Sequence, residues 1–417
     1  MKVIWKRSLL DKTPVVSWAL YDFANSIFAL NILGLYFTLW VTVDHGAPDI
    51  LYSVAYSGSM LAIALTSPLL GAVSDRAGRR LPLLAFFTFL CIGFTAMIGK
   101  VGGLMGGLLF FMVANYGYQS ALVYYDSLLA SVSNQSNRGK ISGLGVGVGY
   151  TGAIFGILLI RPFVESGGRE NAFLPTALLF FIFSLPCFIF VREKGGGEGL
   201  SWGHLRQGYH QLLDTIAHLR KYSALMRFII ARFLYVDAIN TVTAFMSVYL
   251  VKVIGFSDAE VQNYLIVATV FAVIGALAYG RVVDWLGPKK TLIIVLCQWV
   301  TVYIGIAVTF YAPAFWLLGA IAGVSLGATW ATDRVFLTRL APPERLGEFF
   351  GIYELAGRFA AVIGPMVWGI TLVVLGGSGD LQYRVGILTL MVMLLAGFVV
   401  LLGVREPGGS HVESTIR

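Results

Sequence analysis

The sequence predicts an all-α polytopic membrane protein, with twelve transmembrane helices in two pseudo-symmetric six-helix bundles and both termini in the cytoplasm. Three observations predict it. Of 417 residues, 57% are hydrophobic and only 12% charged, whereas soluble domains carry about 25% charge. The apolar residues collect into runs of about 20, the length that crosses a bilayer as a helix. Lysine and arginine, finally, concentrate between alternate runs, which is how cytoplasmic loops are marked.

In chain order the runs predict spans at 15–42, 51–73, 82–99, 105–131, 142–161, 172–191, 224–251, 260–281, 291–311, 314–338, 349–375 and 382–404. One side of the membrane receives Lys2, Lys6, Arg7, Lys12, Arg76, Arg79, Arg80, Arg138, Lys140, Arg192, Lys194, Arg206, Arg220, Lys221, Arg281, Lys289, Lys290, Arg339, Arg345, Arg405 and Arg417. The other receives only Lys100, Arg161, Arg169, Lys252 and Arg384. The positive-inside rule makes the first side cytoplasmic. The formal charge of +8 belongs to these loops and implies no nucleic-acid partner. The first run is longer than a signal-peptide core and holds Asp22, so it is expected to stay as the first helix.

Residues 1–191 form one predicted bundle, 192–222 a cytoplasmic linker, and 223–417 a second bundle with a short tail. In the linker Trp202, Leu205, Tyr209, Leu212, Leu213, Ile216 and Leu219 recur at helical spacing against Arg206, His210, His218 and Arg220, the pattern of a helix lying in the membrane interface. Cys91, Cys187 and Cys297 fall singly in apolar runs, and the five histidines lie in loops or the linker. With no HExxH, GxSxG or phosphate-binding loop, no metal, cofactor or enzymatic activity is expected. A channel is disfavoured because there is no carbonyl-filter sequence.

Three features suggest a duplicated half. Asp22, Asn25 and Ser26 in the first span have an echo in Asp237, Asn240 and Thr241 in the seventh, and are read as its symmetry mates. The loop Gly71-Ala-Val-Ser-Asp75-Arg76-Ala-Gly78-Arg79-Arg80 returns as Gly280-Arg-Val-Val-Asp284-Trp-Leu-Gly287-Pro-Lys289-Lys290, and Asp126 with Arg138 returns as Asp333 with Arg345. Repeats of this kind place a transporter's substrate site between the halves near mid-membrane.

These residues resemble the major facilitator superfamily, whose signature G-x-x-x-D-R-x-G-R-R the loop at 71–80 matches. The blocks YDFANS at 21–26, RFLYVDAINT at 232–241 and DRVFLTRLAPPERLGEFFGIYELAGR at 333–358 resemble the branch related to the vacuolar amino-acid effluxers of autophagy. The resemblance implies secondary transport by alternating access, with efflux of amino acids or similar metabolites. It departs at helix five, which has Gly145, Gly147, Gly149, Gly152 and Gly156 but Tyr150 where exporters of the superfamily often carry proline.

Charges within spans are costly and mark pathways. The substrate or proton pathway is therefore read as Asp22, Asn25, Asp126, Arg232, Asp237, Asn240, Arg334, Glu354 and Arg358. Asp22 is either a proton-coupling group or a carboxylate held for packing, and Asp126 either a latch or a binding group. Arg232 is expected to pair with Asp237 along one helix, and Glu354 with Arg358 at i,i+4. Carboxylates in the first half and arginines in the second suggest a clamp for a zwitterion, since the guanidinium fork suits a carboxylate. A cytoplasmic gate is read in Asp75, Arg76, Gly78, Arg79, Arg80, Arg138, Asp284, Asp333 and Arg345. The expected partners are a small-molecule solute, protons and the lipid bilayer, and the expected state a monomer in the cell membrane. The alternatives are a proton-linked exporter of amphipathic compounds or lipids, and a non-transporting receptor with the same fold.

Overall fold

The computed structural model describes residues 12–77, 80–100, 102–133, 138–193, 222–342 and 346–406. Its long helices are α1 Thr13–Asp44, α2 Asp49–Ala77, α3 Leu81–Met97, α4 Leu104–Val132, α5 Arg138–Gly167, α6 Phe173–Phe190, α7 Ser223–Ile254, α8 Asp258–Leu286, α9 Pro288–Val308, α10 Ala312–Leu340, α11 Leu346–Val374 and α12 Asp380–Leu402. All except α4 are both long and apolar enough to cross a membrane. Helix α4 is as long as its counterpart α10 but carries Asn115, Gln119, Ser120 and Asp126, which lower its hydropathy.

Helix ends follow from local chemistry. Ser257 caps α8 by accepting from the Glu260 amide, while the Glu260 carboxylate accepts from the Ser257 amide, a reciprocal capping box. Gly287 turns the chain into α9 with φ +81, a conformation that favours glycine. The far halves of α1 and α7 loosen into π turns, at Ala29–Tyr36 and Trp40–Asp44 in α1 and at Leu250–Ile254 in α7. Such turns gather at functional segments.

The two halves repeat one another in their packing. In the first, α1 packs on α5 and α6, α4 on α2 and α3, and α3 on α6; in the second, α7 packs on α11 and α12, α10 on α8 and α9, and α9 on α12. Between the halves, α2 meets α11 and α5 meets α8, contacts that a two-fold exchanges. The predicted interfacial helix lies outside the described residues.

The register of the repeat differs from the sequence expectation. Gly149 of α5 lies against Asp22 and Ser26, and Gly357 of α11 against Arg232. Seven residues further on, Gly156 lies against Ile27 and Asn31, and Gly364 against Asp237 and Thr241. The counterpart of Asp22 is therefore Arg232, and that of Asp237 is Ile27. The Asp-x-x-Asn motifs are not symmetry mates: the second sits about five residues deeper, roughly 7.5 Å along the helix.

Candidate functional site

The side of the bundle where the described residues begin, at 12, and end, at 406, is built differently from the side opposite. Call the first the terminal side and the second the far side. On the far side the two halves are locked together. Arg169 forms ion pairs with Asp44 and with Asp258, the latter at 2.7 Å. Lys252 lies 3.3 Å from Asp49, to which the Tyr383 hydroxyl also donates at 3.3 Å. Beneath them Tyr52 of α2 meets the ring of Phe245 of α7 edge-on, and Phe245 stacks on Trp368 of α11. The Ser57 hydroxyl donates to the Val362 carbonyl at 2.8 Å, closing α2 on α11.

Towards the terminal side the space between the halves holds charges instead. Asp126, Arg334 and Glu354 are exposed, and Asp22 and Arg358 half-buried. Asp126 and Arg334 lie six residues from the ends of their helices, about 9 Å inside. The charges of Asp126 and Arg334 act on Asp22, and those of Glu354, Arg334 and Arg358 act on Asp126. Among the described residues these five form no ion pair with one another. The expected Glu354–Arg358 ion pair is thus not made: the two charges act on each other along one turn of helix, but both also act on Asp126 of the first half. Far-side contact together with exposed charges on the terminal side leaves the space between the halves closed at one end and open at the other.

Between the charges and the far side lies a cavity of about 110 Å³. Leu30 and Tyr150 line it from the first half, and Val242, Met246, Tyr264 and Leu265 are among its walls from the second. It is almost wholly apolar, and Tyr150 stands at its charged edge, within the fields of Arg334 and Asp22.

Two predicted pathway residues, Arg232 and Asp237, belong elsewhere. Arg232 does not pair with Asp237. Its Nε donates to Asp333 at 3.2 Å, its Nη1 to the Tyr353 carbonyl at 3.0 Å, and the guanidinium lies 3.5 Å over the Tyr353 ring. The Tyr235 hydroxyl donates to the other Asp333 oxygen at 2.6 Å. The physical reason is reach: Asp333 on α10 faces Arg232 across the bundle, while Asp237 is more than a turn away on α7. Asp333 is therefore an internal strut at 0% exposure, not a gate residue. Asp237 is also at 0% exposure, packed against Thr241 and Gly364 and away from the charged cavity. Asn240 is half-buried; Asn25, one turn from Asp22, is buried with its amide atoms unpartnered.

Of the predicted gate, Arg80 ties its own bundle together. Its amide donates to Glu193 at 2.7 Å and its Nη1 to the Ser127 carbonyl at 2.8 Å. Asp284 is exposed at the end of α8. Gly78, Arg79 and Arg345 lie outside the described residues, as do the side chains of Asp75, Arg76 and Arg138.

Sequence reasoning missed the far-side latch. The signal was available: Asp49 and Asp258 each open a helix at equivalent places in the two halves. What spacing alone lacks is the partner, because Lys252, Arg169 and Tyr383 come from other helices.

The family model described as vacuole effluxer Atg22 like matches residues 130–411. An uncharacterized MFS-type transporter, YxiO, of Bacillus subtilis (strain 168) is 26% identical over 418 residues, covering 95% of this chain and 96% of its own. Autophagy-related protein 22 of Kluyveromyces lactis is 22% identical over 386 residues, covering 85% and 73%. The crystal structure of the nucleoside transporter NupG is similar in fold, with a TM-score of 0.74 at 15% identity over 95% of this chain and 98% of that one.

Proposed function

We propose, from the premise that the chain belongs to the Atg22-like vacuole effluxer family of major facilitator transporters, that it exports a small zwitterion with an apolar side chain in exchange for protons. Secondary transport across a membrane by a multi-pass integral protein is common ground for its relatives and its fold. The finer reading rests on one observation: Asp22 and Asp126 from one bundle and Arg334 and Arg358 from the other lie at least partly exposed beside the space between the bundles, within one another's fields but without an ion pair among them.

Such a cavity suits a solute that brings both missing charges. Its ammonium replaces the absent partner of Asp22 and Asp126, and its carboxylate takes the forked guanidinium of Arg334 or Arg358. Arg232, spent on Asp333, drops out of the clamp. An apolar side chain then fills the pocket beyond Tyr150. Two carboxylates within each other's field hold either a proton or the ammonium, so proton and solute compete for one place, the simplest basis for exchange. On the lysine and arginine asymmetry the termini are cytoplasmic and the open side is the cytoplasmic one; the outward direction is taken from the family's likeness to vacuole effluxers.

Counterflow in proteoliposomes tests this reading. Vesicles loaded with a panel of amino acids should exchange labelled leucine faster than glutamate, lysine or a nucleoside, with alkalinisation of the solute-loaded compartment's opposite side blocked in Asp22→Asn and Asp126→Asn. Normal leucine exchange by Arg334→Gln and Arg358→Gln proteins rules the clamp out.

A further inference from the structure

A buried carboxylate usually has a partner. Asp333 has two in Arg232 and Tyr235. Asp237 has neither: its two buried carboxylate oxygens make no ion pair and no well-formed hydrogen bond, with the Thr241 hydroxyl one turn on and the Gly364 backbone beside them, and the Tyr303 hydroxyl is buried unpartnered too. The groups whose charges meet there are Tyr56 of α2 and Tyr303 of α9; no lysine or arginine acts on Asp237 among the described residues. The other half has Ile27 at the equivalent place, so bundle packing alone does not demand a carboxylate.

The surroundings are shaped around those oxygens. A Cβ at Gly364 would collide with both the Asp237 carboxylate and the Thr241 hydroxyl. Pro365, inside α11, lacks the amide that would hold the Ala361 carbonyl, leaving a backbone oxygen without its helical donor one turn from Gly364. The place also lies on the seam between the bundles. Ser57 of α2 bonds to Val362 two residues before Gly364, and Tyr56 reaches it from the opposite half.

We propose that Asp237 and Thr241, in the cradle left by Gly364, bind one small monovalent cation, a proton or a sodium ion, and that the far side closes over this site only when it is filled. An uncompensated carboxylate at mid-membrane costs several kcal/mol, so an empty site opposes the contact of α2 with α11. A filled site permits it. The cation thereby chooses which side of the membrane the solute cavity faces. The inference rests on secondary transport but not on the zwitterion clamp.

The test uses full-length protein in liposomes, with exposed Cys297 changed to serine and spin labels on Gly102→Cys and Tyr311→Cys, exposed far-side positions on the two halves. Their separation is measured by pulsed electron spin resonance without solute. Three titrations are run: pH in sodium-free choline buffer, sodium chloride at fixed alkaline pH, and choline chloride as the salt control. The short far-side distance should grow in population with protons in the first or with sodium in the second, which identifies the cation. Asp237→Asn should hold the short distance throughout. Gly364→Ala, which keeps the carboxylate, should weaken the response about tenfold, the loss of one charge-assisted contact. If sodium is the cation Thr241→Val should do the same, whereas a proton site should tolerate it. In the double variant Asp22→Asn, Asp126→Asn, which removes the proton sites of the solute cavity, a cation-dependent rise of the short distance that Asp237→Asn abolishes should remain; its complete loss moves the site to the solute cavity and overturns the proposal. So does a parent distance that answers neither cation, or an Asp237→Asn protein that titrates normally. Failure of leucine exchange leaves these distances unaffected, so the two readings fail separately.

Discussion

Asp22 and Arg232 hold the same station on α1 and α7, but what faces them differs. In the second bundle Asp333 on α10 meets Arg232, and the pair closes on itself with Tyr235 and the Tyr353 carbonyl as further partners. In the first, the place of Asp333 belongs to Tyr125 on α4; Asp126, one residue on, stands where α10 has Arg334, so the correspondence of Asp126 with Asp333 expected from the sequence is one residue out of register. Asp22 and Asp126 thus lie within each other's field, and among the described residues no cation of their own bundle acts on them. Two stations make the difference: Arg232 with Asp333 locks its bundle's charge inside, while Asp22 with Tyr125 leaves its bundle needing a partner from elsewhere. The lesson is that in a duplicated fold the working site is the copy that fails to neutralise itself.

The largest expected effect breaks the locked copy. Asp333→Ala strands Arg232 in the core, and loss of one member of a buried pair costs about 3–5 kcal/mol. Thermal unfolding in detergent should show the drop, with Asp126→Ala unfolding like the parent but losing exchange. Equal destabilisation by the two would erase the contrast. The double change Arg232→Met, Asp333→Leu sharpens it, because replacing the whole pair with apolar side chains should be neutral or stabilising by about 1–4 kcal/mol. If that double variant also exchanges solute, Arg232 is structural, as its contacts indicate.

Next in size is the glycine register. Gly152 packs against the Phe23 backbone on α1, where a methyl group cannot be met by rotating a side chain. Gly152→Ala should cost about 1–3 kcal/mol by overpacking, read as a lower unfolding temperature. Gly147 faces open space on the same helix, and Gly147→Ala should be harmless or slightly stabilising through helix propensity. A tolerated Gly152→Ala would show that α1 and α5 are not in close contact.

These positions also show what the sequence made legible. The twelve spans, the halves and the glycine stripe of α5 were readable because apolar length and small residues at helical spacing act locally. The equivalence of the two acidic motifs was misread for an instructive reason. Asp22-x-x-Asn25 and Asp237-x-x-Asn240 match as strings, but α1 and α7 dock on α5 and α11 through their glycines, and docking sets depth, not string similarity. Arg232 was read against Asp237 because both share a helix, whereas Asp333 reaches it only once α10 is packed. Nothing in the spacing of Asp49, Lys252, Tyr383, Asp44, Arg169 and Asp258 announces that they converge.

That latch supplies the smallest expected effect. Lys252 is partly exposed, and such pairs contribute about 1 kcal/mol or less, so no single loss should unfold the protein. Yet alternating access is an equilibrium, and about 1 kcal/mol shifts it roughly fivefold. Lys252→Met removes the cation facing Asp49 but leaves the Tyr383 hydroxyl to donate to it, so the closed far side should weaken without losing its shape. Arg169→Gln removes two ion pairs at once and should shift the equilibrium further. Spin labels across the far side should report a larger open population in both variants, ordered Arg169→Gln above Lys252→Met, with unfolding temperatures close to the parent's. Because the two clusters lie on different helices, their effects should add. An unchanged distance distribution in the combined variant would leave the aromatic contact of Tyr52, Phe245 and Trp368 as the element that keeps the far side shut.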